Sequence, residues 1–182
     1  MTKRKFGVLA EDETDAEAMR VIIQRRLGSG VSVKKRSDQG CAHLRRKAKA
    51  WMDQFAMIGV SDVILLHDLD RNSEPALRSQ LEKIPVPEGM QRHICIPVEE
   101  LEAWLWADPE VVKDVGNGQG KASPSPHRIS NPKKALIDLS LKGKRRPLYS
   151  TQENPRLAGK LNFKLCADRC PSFKGLLEFL GT

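Results

Sequence analysis

The sequence predicts an α/β protein: a mostly parallel, four-stranded sheet with helices on both faces and a helical C-terminal extension. Three observations carry this. Short runs of Val, Ile, Leu and Ala alternate with segments whose apolar residues recur at three- and four-residue steps. The pattern reads β-α-β-α-β-α-β-α over the first 115 residues, and residues 116–182 then break it with a Gly-, Ser- and Pro-rich stretch and shorter helical segments.

Phe6-Gly7-Val8-Leu9-Ala10 forms the first strand and ends directly at Glu11-Asp12-Glu13-Thr14-Asp15. The first helix follows, with Thr14 or Asp15 as N-cap and an apolar face of Ala18, Met19, Ile22, Ile23 and Leu27. Gly28-Ser29-Gly30 stops it. Val31-Ser32-Val33 opens a short second strand that runs into Lys34-Lys35-Arg36. A second helix, at about 41–55, sets Cys41, Leu44, Ala48, Trp51 and Phe55 on one face.

The third strand, residues 62–69, is the most apolar run and closes in Asp68-Leu69-Asp70. Alternate side chains of a strand share a face, so Asp68 and Asp70 project together from its C-terminal end. Ser73 begins a third helix, with Pro75 in its first turn. His93-Ile94-Cys95-Ile96-Pro97 is the fourth strand, and a fourth helix over 98–106 carries Glu99, Glu100 and Glu102 in its first turns. Asp108-Pro109 closes it before a short helix at 109–115. The extension contains a mobile loop at 116–130, a helix restarting at Asn131-Pro132, a basic turn at 142–146, and terminal helices near 155–160 and 172–180. Trp104 and Trp106 read as core and boundary packing, with a base-stacking platform the alternative, and Tyr149, Lys160 and Lys164 as solvated loop residues, with reach to a scissile phosphate the alternative.

Length and charge bound the function. The 182 residues suffice for one domain with a sizeable core and a small appendage. Lys and Arg number 31 against 23 Asp and Glu, a formal charge of +8 that favours a polyanionic partner such as nucleic acid. Lys34, Lys35, Arg36, Arg45 and Arg46, with Lys144, Arg145 and Arg146, are the phosphate-facing candidates; the bland alternative is a solvated basic surface. No run is long enough to span a membrane, and the N-terminus lacks a signal peptide's apolar region. The four dispersed cysteines read as reduced thiols of a cytoplasmic protein and argue against a structural zinc site.

The chemistry lies in the strand ends. Glu11 follows one strand and Asp68 and Asp70 end another, and parallel strands place both ends at one sheet edge. Three carboxylates gathered there repel one another unless a cation sits between them. Oxygen ligands suit Mg²⁺ or Mn²⁺, with positions left for phosphate oxygens and an attacking water. Strand-end acids that merely cap helices and form turns are the alternative.

A resemblance sharpens this reading. Glu11-Asp12-Glu13-Thr14-Asp15 resembles the Glu-Gly-x-x-Asp signature after the first strand of Toprim domains, and Asp68-Leu69-Asp70 resembles their Asp-x-Asp. Residues 96–108, with Leu157-Ala158-Gly159-Lys160 and Cys170-Pro171-Ser172-Phe173, are similar to the small bacterial Toprim-like proteins of the DUF4276 type, found in phage-defence loci. The resemblance implies a Toprim-like, Rossmannoid fold and a metal-dependent nuclease related to those of the overcoming-lysogenization-defect group. Carried across, Glu11 is a metal ligand and general acid/base, Asp68 and Asp70 are metal ligands, and Glu100 or Glu102 serves a second metal position. Asp15 supports the first strand's loop, and His67 either orients the site or packs in the strand. Asp12 stands where Gly is usual, so it would either bind a second metal or repel phosphate. The chain has no phosphate-binding Gly-x-x-x-x-Gly-Lys-Ser/Thr loop, so an ATPase partner would be encoded separately. A homodimer is compatible with the sequence. A non-catalytic nucleic-acid-binding or protein-interaction subunit, and a small phosphoryl-transfer enzyme, are the alternatives.

Overall fold

A computed structural model describes residues 4–38 and 40–181. Four strands, β1 (Lys5–Ala10), β2 (Ser32–Ser37), β3 (Asp62–Leu66) and β4 (Gln91–Cys95), form one sheet in the order β2-β1-β3-β4. All three pairings are parallel, with Val8 opposite Lys35 on one side and Ile64 on the other. The central strands β1 and β3 are buried almost throughout, which is why their sequences read as continuous apolar runs.

Strand alternation divides the core in two. Phe6, Val8, Ala10, Ile64 and Leu66 face α1 (Glu13–Leu27) and the C-terminal helices. Leu9, Val63 and Leu65 face α2 (Cys41–Met57) and α3 (Glu74–Glu82). Gly7 is required by this packing: a Cβ there would lie 2.5 Å from Phe55 Cδ2. Within α2 the buried face is Leu44, Ala48, Met52 and Phe55, with Trp51 at its margin rather than in its line.

Beyond β4, the described residues form six further helices: α4 (Glu102–Leu105), α5 (Pro109–Val115), α6 (Pro132–Leu141), α7 (Asn154–Ala158), α8 (Phe163–Arg169) and α9 (Pro171–Leu180). Their apolar residues join the α1 side of the core around Trp104, which is fully buried, bonds Ser172 Oγ at 3.0 Å and meets Phe173 edge-on. The 116–130 segment is anchored by Ser123 N–H to Trp106 O at 2.8 Å and contains a 3₁₀ turn at Pro126–Arg128.

Three local expectations are corrected. The N-cap of α1 is Asp12, whose Oδ1 accepts the Asp15 N–H at 2.9 Å and the Thr14 hydroxyl at 2.8 Å. β2 runs on to Ser37, so Lys34, Lys35 and Arg36 lie in an edge strand and not beyond it. The helix expected over 98–106 shrinks to four residues, because Glu99 takes a left-handed φ of 61° and breaks the spiral.

Candidate metal centre

Because β1 and β3 are adjacent and parallel, the chain leaves both at the same edge. Glu11 stands one residue past β1, and residues 67–70 continue from β3 while still bonding the segment after β4. The His67 N–H donates to Cys95 O at 3.0 Å, and the Leu69 N–H to Pro97 O at 3.2 Å. Asp68 therefore points its own N–H the other way, to Glu11 Oε1 at 3.3 Å.

The same Glu11 oxygen accepts from the Cys41 thiol at 2.9 Å and lies 3.4 Å from His67 Nδ1. Cys41 is the first residue of α2, presented by Gly40 at φ 90°. Its sulfur also lies 3.3 Å from Asp70 Oδ2, so one thiol bridges two acids from different strand ends. Glu11, Cys41 and His67 together bring an oxygen, a sulfur and a nitrogen within 4.8 Å of one another. His67 Nδ1 sits 2.7 Å from the Asp68 carbonyl, which can only accept, so that nitrogen carries a hydrogen.

A second ring of acids lies beneath. Asp15, Asp68 and Glu102 are 7%, 8% and 1% exposed. Burial, reinforced by Asp12, Glu102 and Glu11, raises the Asp15 carboxyl to about 8. Burial and the charges of Asp15, Glu11, Glu102 and Asp70 push Asp68 well above the carboxylate range. Burial also raises Glu102, against the pull of Lys133. Glu102 Oε1 accepts from Asn154 Nδ2 at 3.1 Å and lies 3.2 Å from the Tyr149 hydroxyl, which is itself 2.7 Å from Asn154 Oδ1. Tyr149 is thus buried against an acid, not solvated as its loop position suggests.

Among the described residues, two buried side-chain atoms have no partner: Asp68 Oδ1 and His67 Nε2. An unpartnered buried carboxyl oxygen among four other acids is one that could ligate a cation once the proton leaves. The close-lying donor set of one carboxylate oxygen, one thiol and one imidazole nitrogen has the ligand types that a divalent metal takes. Beside it a cleft of about 220 Å³ is lined by Asp70, Arg71, Glu99, Glu100, Ser130 and Asn131. Asp70, Arg71 and Glu99 all hold left-handed φ values, 48°, 61° and 61°, and such strain collects at functional sites.

A family model described as a domain of unknown function, DUF4276, matches residues 10–181. The chain belongs to the DUF4276 family. No curated protein and no solved structure gives a significant match.

In this DUF4276 chain the residues singled out from sequence fall into three groups. Glu11 and Asp70 each contact the Cys41 thiol, and Glu11 lies within 4.8 Å of His67 and Cys41. Asp68 reaches Glu11 by its backbone N–H, while its own carboxyl is buried in the charge field of Asp15, Glu11, Glu102 and Asp70. Glu102 joins the buried ring, whereas Glu100 accepts the Lys133 N–H at 3.0 Å and pairs with its ammonium at 3.3 Å. The basic residues differ in their engagement. Lys35 is held by Glu13 and Glu17, and Arg36 lies over the Phe55 ring. Among the described residues, Lys34, Arg45, Arg46, Lys144, Arg145 and Arg146 enter no ion pair, and all but the half-buried Arg45 are exposed. No helix of the described residues is long and apolar enough to cross a membrane.

Sequence reasoning missed Cys41, Lys133, Tyr149 and Asn154. Cys41 carried a signal, since it opens a helix after Gly40, but its three- and four-residue spacing to Leu44 and Ala48 marked it as core. The other three act on Glu100 or Glu102, at least 31 positions away in the chain, and those contacts left no local mark.

Proposed function

We propose that this chain is a Mg²⁺- or Mn²⁺-dependent phosphodiesterase of Toprim type, acting on DNA or RNA. The observation that carries the reading is the buried, unpartnered Asp68 Oδ1 within the charge field of Glu11, Asp15, Asp70 and Glu102. The parallel sheet with this cluster at its C-terminal edge agrees with a Toprim-like arrangement. Glu11, Asp68 and Asp70 would hold the cation, with Glu102 in reserve on its Tyr149 and Asn154 supports. The bound cation would supply charge neutralisation at a phosphate and a water of lowered pKa.

The chain's own residues do the rest. Asp15, which retains its proton near neutrality, offers a hydroxyl that can give or take a hydrogen at the cup's floor. Lys133 balances the acids from the α6 side. The exposed Lys34, Arg46, Lys144, Arg145 and Arg146 provide a sequence-independent hold on a phosphate backbone. A role in phage defence with a separately encoded ATPase belongs to the same reading.

The test is incubation of the full chain with supercoiled plasmid and with single-stranded RNA in Mn²⁺ or Mg²⁺. Nicking by the wild type, and its loss by at least about a hundredfold in Asp68→Ala, is the expected result. Undiminished cleavage by that variant, or intact nucleic acid under every condition, rejects the proposal. Hydrolysis of a phosphomonoester with nucleic acid untouched would point instead to a small phosphoryl-transfer enzyme.

A further inference from the structure

The acids alone describe an oxygen-only site, but the side chain nearest to them is a thiol. Cys41 Sγ touches Glu11 Oε1 at 2.9 Å and Asp70 Oδ2 at 3.3 Å, distances at which donor atoms of one coordination sphere sit. It is only partly exposed, and it is fixed by the start of a 17-residue helix. The other three cysteines are buried elsewhere, Cys95 in β4 and Cys166 and Cys170 around α8, so the thiol here is not one member of a zinc-type set of cysteines. A second observation stands apart from the sulfur. Asp68 Oδ1 is buried with no partner, and the Asp68 N–H rests on the same Glu11 oxygen that faces the thiol. The sulfur thus faces one oxygen of Glu11 and one of Asp70, and with His67 and that Glu11 oxygen it forms a group of donor atoms all within 4.8 Å of one another.

We propose that Cys41 is a metal ligand of this centre, joining Glu11, Asp68 and Asp70, and that the centre prefers borderline or soft divalent cations such as Zn²⁺, Co²⁺ or Cd²⁺ to Mg²⁺. The proposal rests on the reading of these acids as a metal cup, and it adds which class of metal the cup selects. Thiolate sulfur favours softer cations, while Mg²⁺ takes oxygen and water and gains little from sulfur. On loading, the thiol proton leaves to solvent and the sulfur lone pair binds the cation. His67 Nδ1, 3.4 Å from Glu11 Oε1, stays on the Asp68 carbonyl and keeps both ligands in place.

Titration of the metal-free full chain with Co²⁺ and Cd²⁺, followed by ultraviolet absorption, reads the thiolate directly through its ligand-to-metal band. The expected result is one equivalent of band in the wild type and none in Cys41→Ser. That variant should bind Cd²⁺ at least about tenfold more weakly while its Mg²⁺ affinity stays within about twofold. Unchanged circular dichroism and unfolding midpoint in EDTA will show that the variant folds. Asp68→Ala should weaken every cation. Mg²⁺ binding that depends on Asp68, with no thiolate band for any metal, overturns the sulfur ligand and leaves the metal cup standing. A band that survives Cys41→Ser also overturns the proposal. A Cys41-dependent band in a protein that leaves nucleic acid intact upholds the sulfur ligand and rejects the nuclease.

Discussion

Replacing Asp15 by Asn should make the metal-free protein more stable at neutral pH, although it removes a group from the site. Asp15 is 7% exposed, and its carboxyl is raised to about 8 by burial and by Asp12, Glu102 and Glu11. A carboxyl raised on folding is protonated in the native state while the unfolded chain is already ionised. Its destabilisation is absent below about pH 4, grows as pH rises, and is complete above about 8. At pH 7 about three pH units separate the medium from the ordinary aspartate value, which at about 1.4 kcal/mol each gives about 4 kcal/mol. An Asn amide lacking full hydrogen bonding takes back about 1–3 kcal/mol. The net gain is about 1–3 kcal/mol at pH 7, roughly 5 °C in midpoint for a chain of this size. At pH 5 the gain falls to nothing or reverses, because only about one unit of the penalty has developed. Urea unfolding in EDTA at pH 5, 7 and 8.5 measures this directly. A variant less stable than wild type at all three values, with the same pH slope, would refute the account of a carboxyl raised by burial and by neighbouring acids.

Three further outcomes are expected. His93 is stacked on Phe179 at 5.1 Å and held down to about 4 by burial and Arg78, so the fold should lose stability as pH falls from about 6.5 through 4. His93→Phe should abolish that loss of roughly 1–2 kcal/mol, as read by thermal melts across the window. Gly7→Ala would drive a methyl into the Phe55 ring and Val63, lowering stability by about 1–3 kcal/mol in a denaturant titration. Lys133→Met removes a cation that favours ionised Glu102, so it should destabilise the metal-free chain at pH 8 by about 1–2 kcal/mol and much less near pH 4, where the acids are neutral.

The sheet was legible because its two inner strands are buried on both faces and leave unbroken apolar runs, Val8-Leu9-Ala10 and Val63-Ile64-Leu65-Leu66. Parallel order then brought Glu11 and Asp68 together without further information. Boundaries set by single backbone angles were not legible. Asp12, Thr14 and Asp15 can all cap a helix, and only the local geometry selects Asp12. Glu99 is an ordinary helix former, yet it sits at a positive φ with its carbonyl tied to the Asp70 N–H at 3.2 Å. The Asp12 carboxylate turned out to be a cap on the helix that carries Asp15, an outcome the acid-for-glycine comparison left open. The partners of Glu102 were invisible for a different reason. Tyr149 and Asn154 approach it across 47 and 52 residues, a distance at which pattern in the sequence says nothing.

That long reach has a consequence for anyone who would shorten the chain. Tyr149 and Asn154 brace Glu102 from the far half, and Lys133 there braces Glu100. Trimmed to its sheet and first helices, the polypeptide would keep Glu11, Asp68 and Asp70 and still lose the struts behind its deepest acid. The two halves thus share the bracing of Glu100 and Glu102, and a shortened chain would have to replace those contacts.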